Sequence, residues 1–249
     1  MFHFVPIRSV CIPHLAALIC LLACAAAGGI AAETPAIIPV AKDGNAEWMQ
    51  RHQAFVAAAK KGGVPLLFLG DSITDFWGTT GKEVWDKTFA PQHAANFGIA
   101  ADKVENVLWR VTNGELDGIA PKVVVLMIGI NNCWSAKRGE WDQKGQEIAT
   151  GTRQIIDVIH AKSPRSKILL MAIFPLADGM DLSAKAANAL TATFDDGKNI
   201  RVLDIGSKLA GADGTAAKDI LPDGLHPSAK GYQIWADAIA APLKDLMAR

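Results

Sequence analysis

Short, mostly apolar runs alternate with amphipathic stretches along most of the chain. The first run is Leu66-Leu67-Phe68-Leu69, inside a predicted strand over 64–69. Ala94-Ala95-Asn96-Phe97-Gly98 is a second, shorter strand that ends on glycine. Val123-Val124-Val125-Leu126-Met127-Ile128 is the strongest: continuous, largely β-branched and too apolar for a wet face. Residues 168–174 and 201–205 give a fourth and a fifth. Between them the period changes to that of a helix. Trp48, Phe55 and Ala59 share a face over 45–61, which stops at Gly62-Gly63. A short helix is predicted over 84–89. Val104, Val107, Leu108 and Val111 form the buried stripe of a helix over 104–116. Ile148, Thr152, Ile155, Ile156 and Ile159 do the same over 147–161. Helices over 183–194 and 228–247 complete the series, the last burying Tyr232, Trp235, Ile239 and Leu243. Buried strands joined by helical crossovers mean a parallel sheet covered on both faces, a three-layer α/β/α sandwich.

The N-terminal residues break this pattern. Arg8 is the only charge before Glu33, and an Ala- and Leu-rich run over 15–27 leads into Gly28-Gly29-Ile30-Ala31-Ala32. That reads as a signal peptide over 1–32, too short in its apolar core to span a bilayer. A linker follows over 33–44, and a single domain over 45–249. Cys11, Cys20 and Cys24 fall in the leader; Leu21-Leu22-Ala23-Cys24 also fits, loosely, a lipoprotein signal lipidated at Cys24. The expected protein is exported, periplasmic or extracellular, without stable membrane insertion after processing. Cys133 is alone in the body, so no intramolecular disulfide is available there. Twenty-five basic and 25 acidic residues give a formal net charge of +0. Their scattered placement reads as a solvated surface with no pull toward nucleic acid.

Several chemistries lack their motifs. Ser72 sits in Gly70-Asp71-Ser72-Ile73-Thr74, not in Gly-x-Ser-x-Gly. No His-Glu-x-x-His, Walker loop or dinucleotide glycine fingerprint occurs, so neither a metal nor a nucleotide cofactor is expected. Four turns remain, at strand ends and in the late loop: Gly70-Asp71-Ser72, Asn96-Phe97-Gly98, Gly129-Ile130-Asn131 and Asp223-Gly224-Leu225-His226. They supply what acyl transfer needs. Ser72 is a nucleophile once His226 takes its proton, and Asp223 can orient the imidazole. The Ser72 and Gly98 backbone N–H groups and the Asn131 amide are the candidate oxyanion donors. Plainer readings stand beside these: Ser72 as a helix cap, Asp223 and Asn131 as turn formers, Asp71 as turn support. His52, His93 and His160 read as surface residues. Trp77 and Trp134 follow site turns and are candidates for a substrate wall, with core packing as the alternative.

In this order, Gly-Asp-Ser, the isolated glycine, Gly-x-Asn and Asp-x-x-His resemble the SGNH, or GDSL, hydrolase superfamily over about residues 64–245. Asn96-Phe97-Gly98-Ile99, Val107-Leu108-Trp109-Arg110, Asn113-Gly114-Glu115-Leu116 and Ile128-Gly129-Ile130-Asn131-Asn132 are closest to its platelet-activating-factor acetylhydrolase-like branch. The resemblance implies a five-stranded sheet in flavodoxin-like order 2-1-3-4-5. It also implies Ser72 as nucleophile, Gly98 and Asn131 in an oxyanion hole, and Asp223/His226 as the base pair. Ala100-Ala101-Asp102 stands where that branch often has Gly-Gly-Asp, so methyl groups are expected to narrow the site's mouth or alter the loop. The expected function is a secreted serine esterase that removes small acyl groups, foremost acetyl, from a small acylated substrate such as an acetylated glycan. A lipid-directed esterase is the rival within the enzymes. A carbohydrate-binding module on a decayed hydrolase fold is the non-enzymatic one.

Overall fold

The computed structural model describes residues 1–3, 36–176, 182–211 and 216–248. The chain divides into Met1–Glu33 and Thr34–Arg249, and every helix and strand described lies in the second unit. The leader's Arg8, Cys11, Cys20 and Cys24 lie outside the described residues.

Helix α1 (Ala46–Lys61) begins where the Asn45 side chain accepts from the Trp48 N–H, and it ends at Gly62. Strand β1 (Leu66–Gly70) is buried at every position. It leads into one-turn helix α2 (Ser72–Asp75), a 3₁₀ turn and α3 (Lys82–Thr88). Strand β2 (Ala94–Gly98), α4 (Val104–Thr112) and β3 (Val123–Met127) follow. Then come the one-turn α5 (Ile130–Cys133), the long α6 (Trp141–Lys162), β4 (Lys167–Met171) and α7 (Leu182–Thr191). Strand β5 (Ile200–Leu203), α8 (Gly206–Leu209) and α9 (Ala229–Ala248) complete the body.

The strands form one parallel sheet in the order β2-β1-β3-β4-β5 with helices flanking it, as expected. Register aligns the carboxyl ends: Gly70 lies opposite Gly98 on one side and Met127 on the other. The turns after β1, β2 and β3 therefore share one edge of the sheet, the edge where open α/β folds place ligands. All four stripe positions of α4 and all four of α9 are buried. Phe55 on α1 is only half-buried.

Two helix boundaries differ from the periodic pattern. α6 starts at Trp141, two turns before its apolar stripe, because Gly145 rather than an apolar side chain makes the contact there. A Cβ on Gly145 would lie 2.5 Å from the Ala186 Cβ of α7. α4 stops at Thr112 because the Asn113 side chain turns back to donate to the Trp109 carbonyl, and Gly114 then takes φ +106°.

Candidate active site

Ser72 is placed by its neighbours on both sides. Gly70 ends β1, and Asp71 caps α2 by accepting from the Ile73 N–H at 3.1 Å. Ser72 is thus the first residue of a helical turn, where backbone N–H groups have no intrahelical partner. The cap is Asp71, which leaves the Ser72 hydroxyl free for another partner. That partner is His226, whose Nε2 lies 2.9 Å from Ser72 Oγ.

The late loop builds the other half. Asp223 uses its two oxygens differently. Oδ1 accepts from the backbone N–H of Leu225 (3.0 Å) and His226 (2.7 Å), closing a tight turn through Gly224 at φ +79°. Oδ2 lies 2.7 Å from His226 Nδ1. Partial burial raises the Asp223 carboxyl's pKa. The His226 ring and the two backbone donors outweigh that and hold it below its ordinary range, so it is ionised at neutral pH. With Nδ1–H donating to a carboxylate, Nε2 is left to accept from the Ser72 hydroxyl; these partners assign the tautomer. The hydroxyl, imidazole and carboxylate form one hydrogen-bonded series. Phe76, which the sequence did not single out, packs on the imidazole with ring centroids 5.0 Å apart.

The three candidate oxyanion donors differ in their state. Asn131, in α5, donates one Nδ2 hydrogen to the Asp102 carbonyl at 2.9 Å, which fixes the amide plane and leaves a second N–H. The Ser72 N–H is the unpaired helix-start donor described above. Gly98 departs from expectation. Its N–H donates to Asn96 Oδ1 at 2.9 Å, while Asn96 Nδ2 reaches the Thr74 and Asp75 carbonyls. A Cβ on Gly98 would lie 2.2 Å from the Asp75 backbone nitrogen. In this structure the glycine lets β2 abut α2, and its N–H reaches an oxyanion only if Asn96 yields or shares it.

Trp77 is a correction. It is fully buried, with its ring among Tyr232, Trp235 and Phe89, and it cannot wall a substrate. The single turn of α2 rotates the chain so that Phe76 meets the histidine and Trp77 enters the core. Trp134 caps α5 three residues after Asn131 and is 47% exposed.

Two further expectations are overturned beneath the serine. His52 is buried, not on the surface, and the charges are not all solvated. Arg110 is fully buried. It donates to Asp102 through Nε (2.8 Å), to Glu115 and the Phe97 carbonyl through Nη1, and to the Gly70 carbonyl through Nη2 (3.1 Å). Trp48 Nε1 donates to Asp102, and His52 Nδ1 pairs with Glu115. The loop above this network carries Ala101 at φ +60°, a left-handed conformation that costs an L side chain about 1–2 kcal/mol. Ala100 and Ala101 are both exposed. Ala101→Gly is expected to raise stability by about 0.5–1 kcal/mol, read as a higher urea midpoint at unchanged slope.

Asp71 supports its turn with one oxygen only. Oδ2 is buried with no hydrogen-bond partner among the described residues. Burial pushes its pKa from the ordinary 3.8 to about 7; the Ile73 N–H and Arg110 oppose this, and Asp102 adds to it. A carboxyl protonated in the fold and ionised in the unfolded chain makes the native state bind more protons, so stability falls as pH rises between those values. The loss amounts to about 2–3 kcal/mol from pH 5 to pH 8. Asp71→Asn is expected to lack this falling contribution. The difference in unfolding free energy between wild type and variant should move by that amount across the range. A pH-independent difference would refute the assignment.

Among the described residues, no group of three or more His, Cys, Asp or Glu side chains is placed to hold a metal ion. No helix among them is long and apolar enough to cross a membrane. A cavity of about 560 Å³, lined in part by Lys122, Lys162, Arg165 and Lys167, opens where β3 and β4 begin, at the opposite edge of the sheet from Ser72.

Comparison with known proteins agrees with the fold. The GDSL-like lipase/acylhydrolase family matches residues 68–234. The human platelet-activating factor acetylhydrolase IB subunit alpha2 is 32% identical over 220 residues, covering 86% of this chain and 90% of that protein. The human alpha1 subunit is 28% identical, covering 83% and 87%. A GDSL-like lipase from Bacteroides thetaiotaomicron superposes with a TM-score of 0.63 at 17% identity, covering 79% of this chain and 97% of the other. An acetylxylan esterase from Geobacillus stearothermophilus gives 0.53 at 20% identity, covering 72% and 93%.

Proposed function

The chain belongs to the GDSL-like lipase/acylhydrolase family, and from that membership we propose that it is a serine esterase that removes small acyl groups, foremost acetyl, from oxygen esters. The observation that carries the reading is the unbroken series from Ser72 Oγ to His226 Nε2 (2.9 Å) and from His226 Nδ1 to Asp223 Oδ2 (2.7 Å).

The mechanism follows from that series. His226 Nε2 takes the hydroxyl proton as Ser72 Oγ attacks the ester carbonyl carbon. Asp223, ionised and anchored by two backbone donors, holds the ring in the tautomer that can accept and stabilises the imidazolium that forms. Negative charge then develops on the former carbonyl oxygen. The Ser72 N–H and the second Asn131 Nδ2 hydrogen are the donors for it, each expected to contribute about 10²–10³ in rate. The imidazolium returns its proton to the departing alkoxide. Water, activated by the same nitrogen, cleaves the acyl-enzyme and regenerates Ser72.

The acetyl preference rests on the relatives. Both human proteins above are named acetylhydrolases, and the Geobacillus structure is an acetylxylan esterase. They differ in what carries the acetyl group, and here the N-terminal sequence bears on the reading. An exported protein meets acetylated glycans, and Trp134 offers an exposed aromatic face for a sugar ring. The test has two parts. A serine-reactive fluorophosphonate is expected to label the Ser72 peptide, seen by mass spectrometry. Acetate release from a panel of acetylated glycans is expected to exceed release of longer acyl chains from matched esters. Preference for long chains would favour a lipid-directed esterase instead, and absence of labelling together with absence of turnover would leave the binding-module reading.

A further inference from the structure

Several of the contacts that hold the loop between β2 and α4 come from the N-terminal part of the body. Within the segment expected to be a linker, the Ile37 N–H donates to Gln154 Oε1 at 2.7 Å, and Gln154 Nε2 donates back to the Ile37 carbonyl. The Val40 N–H donates to the Glu105 carbonyl, and Asn106 Nδ2 donates to the Val40 carbonyl. The segment is thus a strap fastened to α4 and α6, and it delivers Lys42 to the loop. Lys42 Nζ lies 2.9 Å from the Ala101 carbonyl and 2.9 Å from Asp102 Oδ1. Trp48, in the first turn of α1, donates to the same carboxylate oxygen. Arg51, a turn further on, donates to the Gly98 carbonyl and pairs through both Nη atoms with Asp75, whose Oδ2 accepts from the Ala100 N–H.

This clamp has a reason to exist. Ala101 sits in a conformation that costs energy, so the loop would relax if nothing held it. The carbonyl of Asp102, the residue after Ala101, is the acceptor that fixes the Asn131 amide. Asp102 therefore faces two ways: its carboxylate is gripped by Lys42, Trp48 and Arg110, and its carbonyl aims Asn131. Of the three grips, Lys42 alone comes from the strap and is partly exposed, with a quarter of its side chain accessible. Removing it loosens the Ala101–Asp102 peptide without opening the core.

We propose that Lys42 is a positioning residue for the reaction: the strap carries it to the Ala101–Asp102 turn, and that turn orients the Asn131 amide toward the oxyanion. The proposal rests on the esterase reading and on Asn131 as an oxyanion donor. An interaction realised only in the transition state lowers kcat when lost and leaves KM alone. Lys42→Met is expected to lower kcat on 4-nitrophenyl acetate about tenfold, with KM within about twofold of wild type. Lys42→Arg, which keeps the charge and the reach to both acceptors, is expected to recover most of that loss.

The deciding measurement is a double-mutant cycle with Asn131→Ala. If Lys42 acts through Asn131, Lys42→Met costs less than about twofold in the Asn131→Ala background. Equal losses in both backgrounds, or a Lys42→Met kcat within twofold of wild type, overturn the proposal. The same assay on Ser72→Ala separates the two levels of the argument. An active Ser72→Ala protein removes the esterase reading itself. An inactive one beside an additive cycle removes only the role given to Lys42.

Discussion

Ser72→Ala is expected to lower kcat on a short acyl ester by about 10⁴-fold or more while leaving the fold intact. The size of the effect follows from the series that Ser72 heads. The nucleophile, its base and the base's orienter act as a unit, so losing one member forfeits the contribution of the others. His226→Ala should therefore cost about as much alone as together with Ser72→Ala. Residual turnover above the uncatalysed rate would come from the donors that remain. The stability part of the prediction is equally specific. The α2 cap is Asp71, not Ser72, so removing Oγ leaves the helix start unchanged. His226 is partly exposed, and water can replace the lost partner. Chemical denaturation should place the variant within about 1 kcal/mol of wild type. Near wild-type turnover in a folded Ser72→Ala protein would remove the mechanism.

How much of this was legible beforehand depends on the kind of signal. Val123–Met127 and Leu66–Gly70 are buried on both faces, and a wholly apolar run announces that without any knowledge of neighbours. The Asp223-to-His226 turn is local, so a three-residue offset and a glycine sufficed to suggest the geometry. Trp77 failed because the direction of a side chain after one helical turn depends on rotation about that turn, which no short pattern encodes. Gly98 was ambiguous in a different way. Glycine marks a close approach but not of what, and here the approaching group is the Asp75 backbone. The buried charges were the least legible. Lys42, Trp48, His52, Asp102, Arg110 and Glu115 span more than 70 positions, and each looks like an ordinary surface residue or helix face until the fold assembles them. An exposed charge and a paired buried one are the same letter in a sequence.

That cluster sets the second large expectation, Arg110→Met, which should destabilise the protein by about 3–5 kcal/mol. Methionine fills a similar space but provides no donors, so four acceptors lose a partner at once. Two are the Asp102 and Glu115 carboxylates, and two are the Gly70 and Phe97 carbonyls. Asp102 keeps Lys42 and Trp48, and Glu115 keeps His52, so neither charge is stranded; that holds the cost within this range. Domains are typically stable by about 5–15 kcal/mol, so the loss is a large fraction of the whole. Urea unfolding measures it, and a difference under 1 kcal/mol would mean the network is replaceable. Adding Glu115→Gln should return part of the loss, because a neutral amide costs less than an ionised carboxylate when left without the guanidinium. Arg110→Lys distinguishes charge from shape. It restores a cation but not the fork that reaches two carboxylates and two strand ends together, so it should recover less than half of the difference. The Gly70 carbonyl lies one residue before Asp71 and two before Ser72. Any folded Arg110 variant should therefore lose kcat as well as stability, because the guanidinium that anchors the network also pins the strand end from which the nucleophile projects.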